Sequence, residues 1–347
     1  MRAWVLHQFG APEKLRFEDV ALPEPGDGEV RVRVRAIAVA RTKDVSARAG
    51  HPPFARRITP PHILGTEHAG TVEAVGLGVD QSIIGTDVAV SAVLSCASCR
   101  ACSMGREEAC EGFALVGVDR PGSYAEHCVV PQGNVHPIPE DLSFAEAASL
   151  AANGPVARAQ LDAGGVGPGS QVLVLGVAGT LGSTAASLAR FKGASVIGVD
   201  QLEPRKPLLD HLRLDALLDG HDGHLAQRIL DLTDGWGVDC VVDNLGITDL
   251  WNGYRAALAD MGRIVVSGAI GRDPIPVELL PFYLRSQSLV GVRTGNRSQI
   301  RSLWQDVRDG FRLPSQAVVL RPWTDLQDVH RLVESGRSSG QNVLAIE

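Results

Sequence analysis

Residues 171–182 read Gln171-Val-Leu-Val-Leu-Gly176-Val-Ala-Gly179-Thr180-Leu181-Gly182, and this stretch decides the fold. Apolar after its first residue, Gln171–Leu175 suits a strand buried on both faces. Three glycines follow, and good helix formers come after them. Strand, glycine turn and helix in that order form the context a dinucleotide fingerprint requires. The glycines let the backbone approach a pyrophosphate, and the helix start offers free N–H groups and a positive dipole end. Gly176, Gly179, Thr180, Leu181 and Gly182 are therefore the expected phosphate cradle. The spacing is G-x-x-G-x-x-G, looser than G-x-G-x-x-G, and a glycine turn that binds nothing is the competing reading. Asp200 stands 18 residues after Gly182 at the end of the next apolar run. A carboxylate there accepts hydrogen bonds from a ribose diol and repels a 2′-phosphate, which favours NAD(H) over NADP(H). The alternative role for Asp200 is a helix N-cap. Arg205 is the nearby group able to turn toward a phosphate.

The same rhythm continues outward. Apolar runs at 194–199, 239–242, 263–267 and 288–292 alternate with helical stretches, the βαβ pattern of a doubly wound parallel sheet. Asn244 and Gly246 follow one of these strands, and with Ser267 and Val292 they are expected to frame the nicotinamide. Upstream the texture is different. Residues 29–36 (EVRVRVRA) alternate apolar and charged side chains, and further short strands are punctuated by Gly and Pro. After about residue 292 a helix and short strands return. The expected class is thus α/β, a Rossmann-type parallel sheet (153–292) inserted into a β-rich domain (1–152 and 293–347).

Composition sets the outer limits. The chain has 347 residues, enough for about two domains. At 44% hydrophobic and 21% charged it reads as soluble and globular, and a net charge of −7 argues against a nucleic-acid surface. No apolar run is suited to a membrane span and no targeting segment is visible, so a cytoplasmic protein acting on a small molecule is expected.

Six cysteines are present, and Cys96, Cys99, Cys102 and Cys110 have the spacing C-x2-C-x2-C-x7-C. Four thiolates this close can close a tetrahedron around zinc and leave no open position, within a lobe of about 94–112. An iron–sulfur cluster also takes four cysteines, but Cys110 is followed by Glu111 rather than proline. Cys128 and Cys240 read as core strand residues.

Together with the segment Gly65-Thr66-Glu67-His68-Ala-Gly70, Val72 and Gly76, these features resemble the medium-chain dehydrogenase/reductase superfamily, the zinc-type alcohol dehydrogenases in particular. The resemblance covers essentially the whole chain. It implies a GroES-like catalytic domain, a Rossmann domain, one structural zinc per chain, and a homodimer or homotetramer. The departures are chemical. Where that family has a histidine zinc ligand, this chain has Thr66. The cysteine of its C-x-T-D pattern falls on Ala40, the following aspartate on Lys43, and the third ligand on Ala152 or Asn153. No catalytic zinc is expected. By resemblance, Thr42 matches a proton-passing hydroxyl. Lys43 offers a positive charge in the metal's place, or else pairs with Glu67 or Asp44, or faces solvent. Glu67 lies beside them, and Thr42, Lys43 and Glu67 are the candidate catalytic residues. The expected activity is hydride transfer to a polarised C=C, C=O or C=N bond by an NAD(H)-dependent oxidoreductase. The alternatives are an alcohol dehydrogenase with a Thr42-centred relay, and a non-catalytic nucleotide-binding protein.

Overall fold

The computed structural model of the chain describes residues 1–201, 206–271, 273–338 and 340–346. It divides into two compact units, Met1–Ala152 with Val318–Glu347, and Asn153–Ala317. Among the described residues the second unit holds six strands, β1 (Gln171–Leu175), β2 (Ser195–Asp200), β3 (Ala216–Asp219), β4 (Val238–Asp243), β5 (Leu258–Val266) and β6 (Ser288–Gly291). All neighbours pair in parallel in the order β3-β2-β1-β4-β5-β6. The direction of winding reverses between β1 and β4, the point at which such sheets bind ligands.

Burial explains why β1 lacks alternation. Val172, Leu173, Val174 and Leu175 are all fully buried, because helices cover both faces of a parallel sheet. The helix Thr180–Phe191 buries Gly182, Ser183, Thr184, Ala185, Ala186 and Ala189; small residues let it lie close to the strands.

Residues 293–317, which the sequence reading assigned to the β-rich domain, pack in the second unit. The helix Arg297–Arg308 buries Ile300, Leu303, Trp304 and Val307. Leu303 packs so tightly on Gly154 that a Cβ there would lie 2.3 Å from its Cδ2, and the rings of Phe311 and Phe191 pack tilted at 56° with centroids 5.5 Å apart. An apolar stripe shows that a helix is buried, not against what.

In the first unit the strand Glu29–Ala38 is central. It pairs antiparallel with Glu67–Val75, His127–Pro131 and the C-terminal strand Gln341–Ala345. Val30, Val32 and Val34 are fully buried, as the alternating pattern requires. The chain leaves this strand into a wide turn, Arg41–Val45, closed by the Val45 N–H donating to the Ala40 carbonyl at 3.1 Å. The C-terminal strand carries the helix Leu326–Glu334 into the same core. Among the described residues no helix is long and apolar enough to cross a membrane.

Candidate functional site

The glycine loop sits at the C-terminal end of β1. Gly176 has φ +68°, a left-handed conformation that favours glycine. A Cβ on Gly182 would lie 2.1 Å from the Gly176 carbonyl oxygen, so only glycine lets the helix begin this close to the turn. Thr180 and Leu181 open that helix. Asp200 ends β2, and its carboxylate bonds back to the loop: Oδ2 accepts the Ala178 N–H and Oδ1 the Gln201 N–H, both at 2.8 Å. The cradle, the helix start and this adjacent carboxylate fit the pyrophosphate and ribose of a dinucleotide. Arg205 lies outside the described residues.

The other expected cofactor residues cluster at the same sheet end. Asp243 Oδ1 accepts the N–H groups of Leu245 and Gly246 at 2.8 Å, and the Tyr254 hydroxyl donates to its Oδ2 at 3.1 Å. Gly246 has φ +58°, and a Cβ on Gly268 would lie 2.2 Å from the Asn244 carbonyl. The loops bearing Asn244, Gly246 and Ser267 are thus pressed together, and the Val292 N–H ties the end of β6 to the Val266 carbonyl at 2.9 Å. Gln160 escaped the sequence reading. It is fully buried and donates through Nε2 to Asn244 Oδ1 at 2.7 Å. An isolated glutamine on a helix gives no sequence signal for such a pairing.

The four lobe cysteines are gathered, with all four Sγ atoms within 4.8 Å of one another. Adjacent pairs are separated by 3.5, 3.6, 3.9 and 4.0 Å. Zn–S bonds of about 2.3 Å in a tetrahedron place sulfurs about 3.8 Å apart, so the arrangement matches a zinc site. The N–H groups of Cys96 and Cys99 point at the sulfurs of Cys110 and Cys96, each at 3.3 Å. Cys128 and Cys240 are buried in strands, and burial pushes both thiols up to about 12.

The wide turn of the first unit presents the remaining candidates. Thr42 is exposed. Lys43 Nζ lies 2.7 Å from Glu67 Oε1, and the Glu67 side chain is only 2% exposed. Beside them Asp44 is fully buried, its Oδ2 accepting the Ala40 N–H at 2.9 Å. Burial raises the Asp44 carboxyl to about 7; the Ala40 N–H opposes this and the Glu67 charge adds to it. Arg48, also buried, donates to Glu334 Oε2 at 2.7 Å. The Tyr124 hydroxyl lies 2.9 Å from His330 Nε2, and burial drives His330 down to about 3, hence neutral. His68 is adjacent to Glu67 in the strand and so faces the other way; burial drives it to about 3 as well.

At the positions expected to ligate a catalytic zinc, Ala40 offers a methyl group and Thr66 a fully buried neutral hydroxyl. Among the described residues, the four cysteines are the one set of three or more His, Cys, Asp or Glu ligand atoms gathered closely enough for a metal.

Residues 26–140 match the family model of the alcohol dehydrogenase GroES-like domain, and residues 180–309 that of the zinc-binding dehydrogenases. An NAD-dependent alcohol dehydrogenase of Sulfolobus acidocaldarius is 29% identical over the full length of both chains. An L-threonine 3-dehydrogenase of Pyrococcus furiosus is 32% identical over 72% of this chain and 71% of its own. Among solved structures, an NAD-dependent alcohol dehydrogenase superposes with a TM-score of 0.89 at 32% identity, covering all of both chains. A crotonyl-CoA carboxylase/reductase in complex with NADP superposes at 0.88 with 25% identity, covering 100% of this chain and 95% of its own.

A Rossmann-type unit and a GroES-like unit in one chain define an alcohol-dehydrogenase-like oxidoreductase. The chain belongs to the medium-chain dehydrogenase/reductase superfamily.

Proposed function

We propose that this oxidoreductase is NAD(H)-dependent and works without a catalytic zinc, transferring hydride to a polarised C=C, C=O or C=N bond of a small organic molecule. The observation that carries the reading is the donor set of the turn and strand: Ala40 offers a methyl group and Thr66 a buried hydroxyl where the resemblance would place metal ligands, with Lys43 and Glu67 paired beside them at 2.7 Å. Bound at the glycine loop, the nicotinamide cofactor supplies or accepts the hydride. Asp200 selects a free ribose 2′-hydroxyl. Lys43, partly exposed and paired with Glu67, presents an ammonium that stabilises developing oxyanion or enolate charge in this reading. It also has a proton to give. Glu67 fixes its position, and Thr42 offers a hydroxyl to the same reaction. A substrate whose bond is already conjugated or protonated needs less polarisation than a plain alcohol, which suits a site without a Lewis acid. The similar fold of a crotonyl-CoA reductase supports that substrate class.

The four lobe cysteines hold one structural zinc in this reading. The occupant proposed for the exposed edge of the second unit is a second copy of the chain. β6 ends the sheet and exposes Leu289, and the helix Leu279–Leu284 just before it in the chain exposes Leu279, Leu280, Tyr283 and Leu284. An apolar open edge invites pairing, and a two-fold axis closes it.

The second reading, an alcohol dehydrogenase with a Thr42-centred relay, is favoured by the names of the full-length relatives and by the exposure of Thr42. Elemental analysis and turnover separate the two. One zinc per chain with NADH oxidation on an enone supports the zinc-free reductase. Two zincs per chain with turnover of a simple alcohol alone overturn it.

A further inference from the structure

In the first unit a cleft of about 440 Å³ opens beside the edge strand Val318–Pro322 and reaches Ala345 and Ile346. That size suits a small organic molecule. Its walls carry one cation, one carboxylate and one indole. Arg321 stands in register with Leu344, a buried core residue, so its side chain leaves on the core side of the sheet. The enclosed stem seals Nε from water without giving it a partner, and among the described residues nothing pairs with the guanidinium head. Glu126 lines the same cleft with one oxygen engaged. Its Oε2 accepts the Arg2 N–H at 2.8 Å, and Oε1 takes no bond among the described residues. Arg321 and Glu126 therefore share a cleft without pairing to each other. Trp323 is held edge-on to Phe17, with ring centroids 4.8 Å apart at 84°, and its carbonyl accepts the Trp4 indole N–H at 3.2 Å. The indole is fixed before any ligand arrives, which lowers the entropy lost on binding.

We propose that this cleft is a binding site for a free α-amino acid with an apolar side chain. The carboxylate goes to the Arg321 guanidinium, whose planar fork matches it. The ammonium goes to Glu126 Oε1, and the side chain lies on the Trp323 indole beside Leu320 and Ile346. Charge decides the class. A plain anion would satisfy Arg321 but face the Glu126 carboxylate, and a plain cation would satisfy Glu126 but face Arg321. Only a molecule with both charges and no net charge completes the two at once. The site belongs to the first unit alone and is independent of the hydride-transfer reading.

The test titrates L-phenylalanine and L-leucine into the full chain by calorimetry. At least one should bind saturably, at a single site per chain. Acetylating its amine, or amidating its carboxylate, should each weaken binding about tenfold or more, the worth of one hydrogen bond to a charged group. Arg321→Gln should weaken the free amino acid by a similar factor and bind it and its amide alike. Glu126→Gln, which keeps an oxygen for the Arg2 N–H, should bind it and its N-acetyl form alike. A melting temperature near that of wild type shows each variant folded, and the capped ligands test the wild type without any substitution. No saturable binding of either amino acid, capped forms that bind as well as the free one, or folded variants that keep the wild-type preference each overturn the proposal. None of these readouts involves turnover, so the site stands or falls apart from the proposed activity.

Discussion

At the residue scale the substitution that matters most is chemical. An alanine and a threonine occupy positions where this family's metal enzymes carry cysteine and histidine, and a lysine stands where an aspartate is expected. In the proposed reading, charge comes from a side chain in place of an ion. Lys43→Met should cut kcat by about 100-fold or more, the usual worth of a positioned acid. NADH affinity should stay within about twofold, because the glycine loop is in the other unit. Stopped-flow reduction and fluorescence titration check the two halves. Lys43 and Glu67 were legible as candidates, but three fates for Lys43 were open from sequence. Its 2.7 Å approach to Glu67 selects one. The full burial of Asp44 was not legible at all, since enclosure depends on which distant elements pack over the turn.

At the element scale, β1 and its glycine turn show how far local pattern reaches. The strand bounds read from sequence match those observed, Gln171–Leu175, because four consecutive apolar side chains between helices have little else to become. The loose glycine spacing is explained by geometry: Gly176 supplies the positive φ and Gly182 the close approach. Gly182→Val is expected to weaken NADH binding by at least about tenfold and to destabilise the chain by about 1–3 kcal/mol through overpacking, as read by titration and urea unfolding. A variant that binds NADH normally would remove the loop from the cofactor site. The helix Arg297–Arg308 marks the opposite limit. The helix was readable, yet its burial against Gly154 rather than in the β-rich unit was not.

At the scale of the whole molecule, the open β6 edge makes a prediction about assembly. Light scattering should give a multiple of the 36.8 kDa chain mass. Leu284→Glu combined with Leu289→Lys should shift it to the monomer, and a monomeric wild type would show that the edge is covered by nothing of its own kind. The sequence by itself determined the parallel sheet, the insertion of one unit into another and the cysteine spacing. Those features are written in periodicity, in glycine positions and in the presence or absence of particular donor atoms. Only the tertiary structure decided that residues 293–317 belong to the nucleotide-type unit, that Lys43 meets Glu67, and that Asp44 is fully buried beside them. Each of these depends on which distant groups burial brings together, and buried charge responds to the sum of its neighbours rather than to its place in the chain.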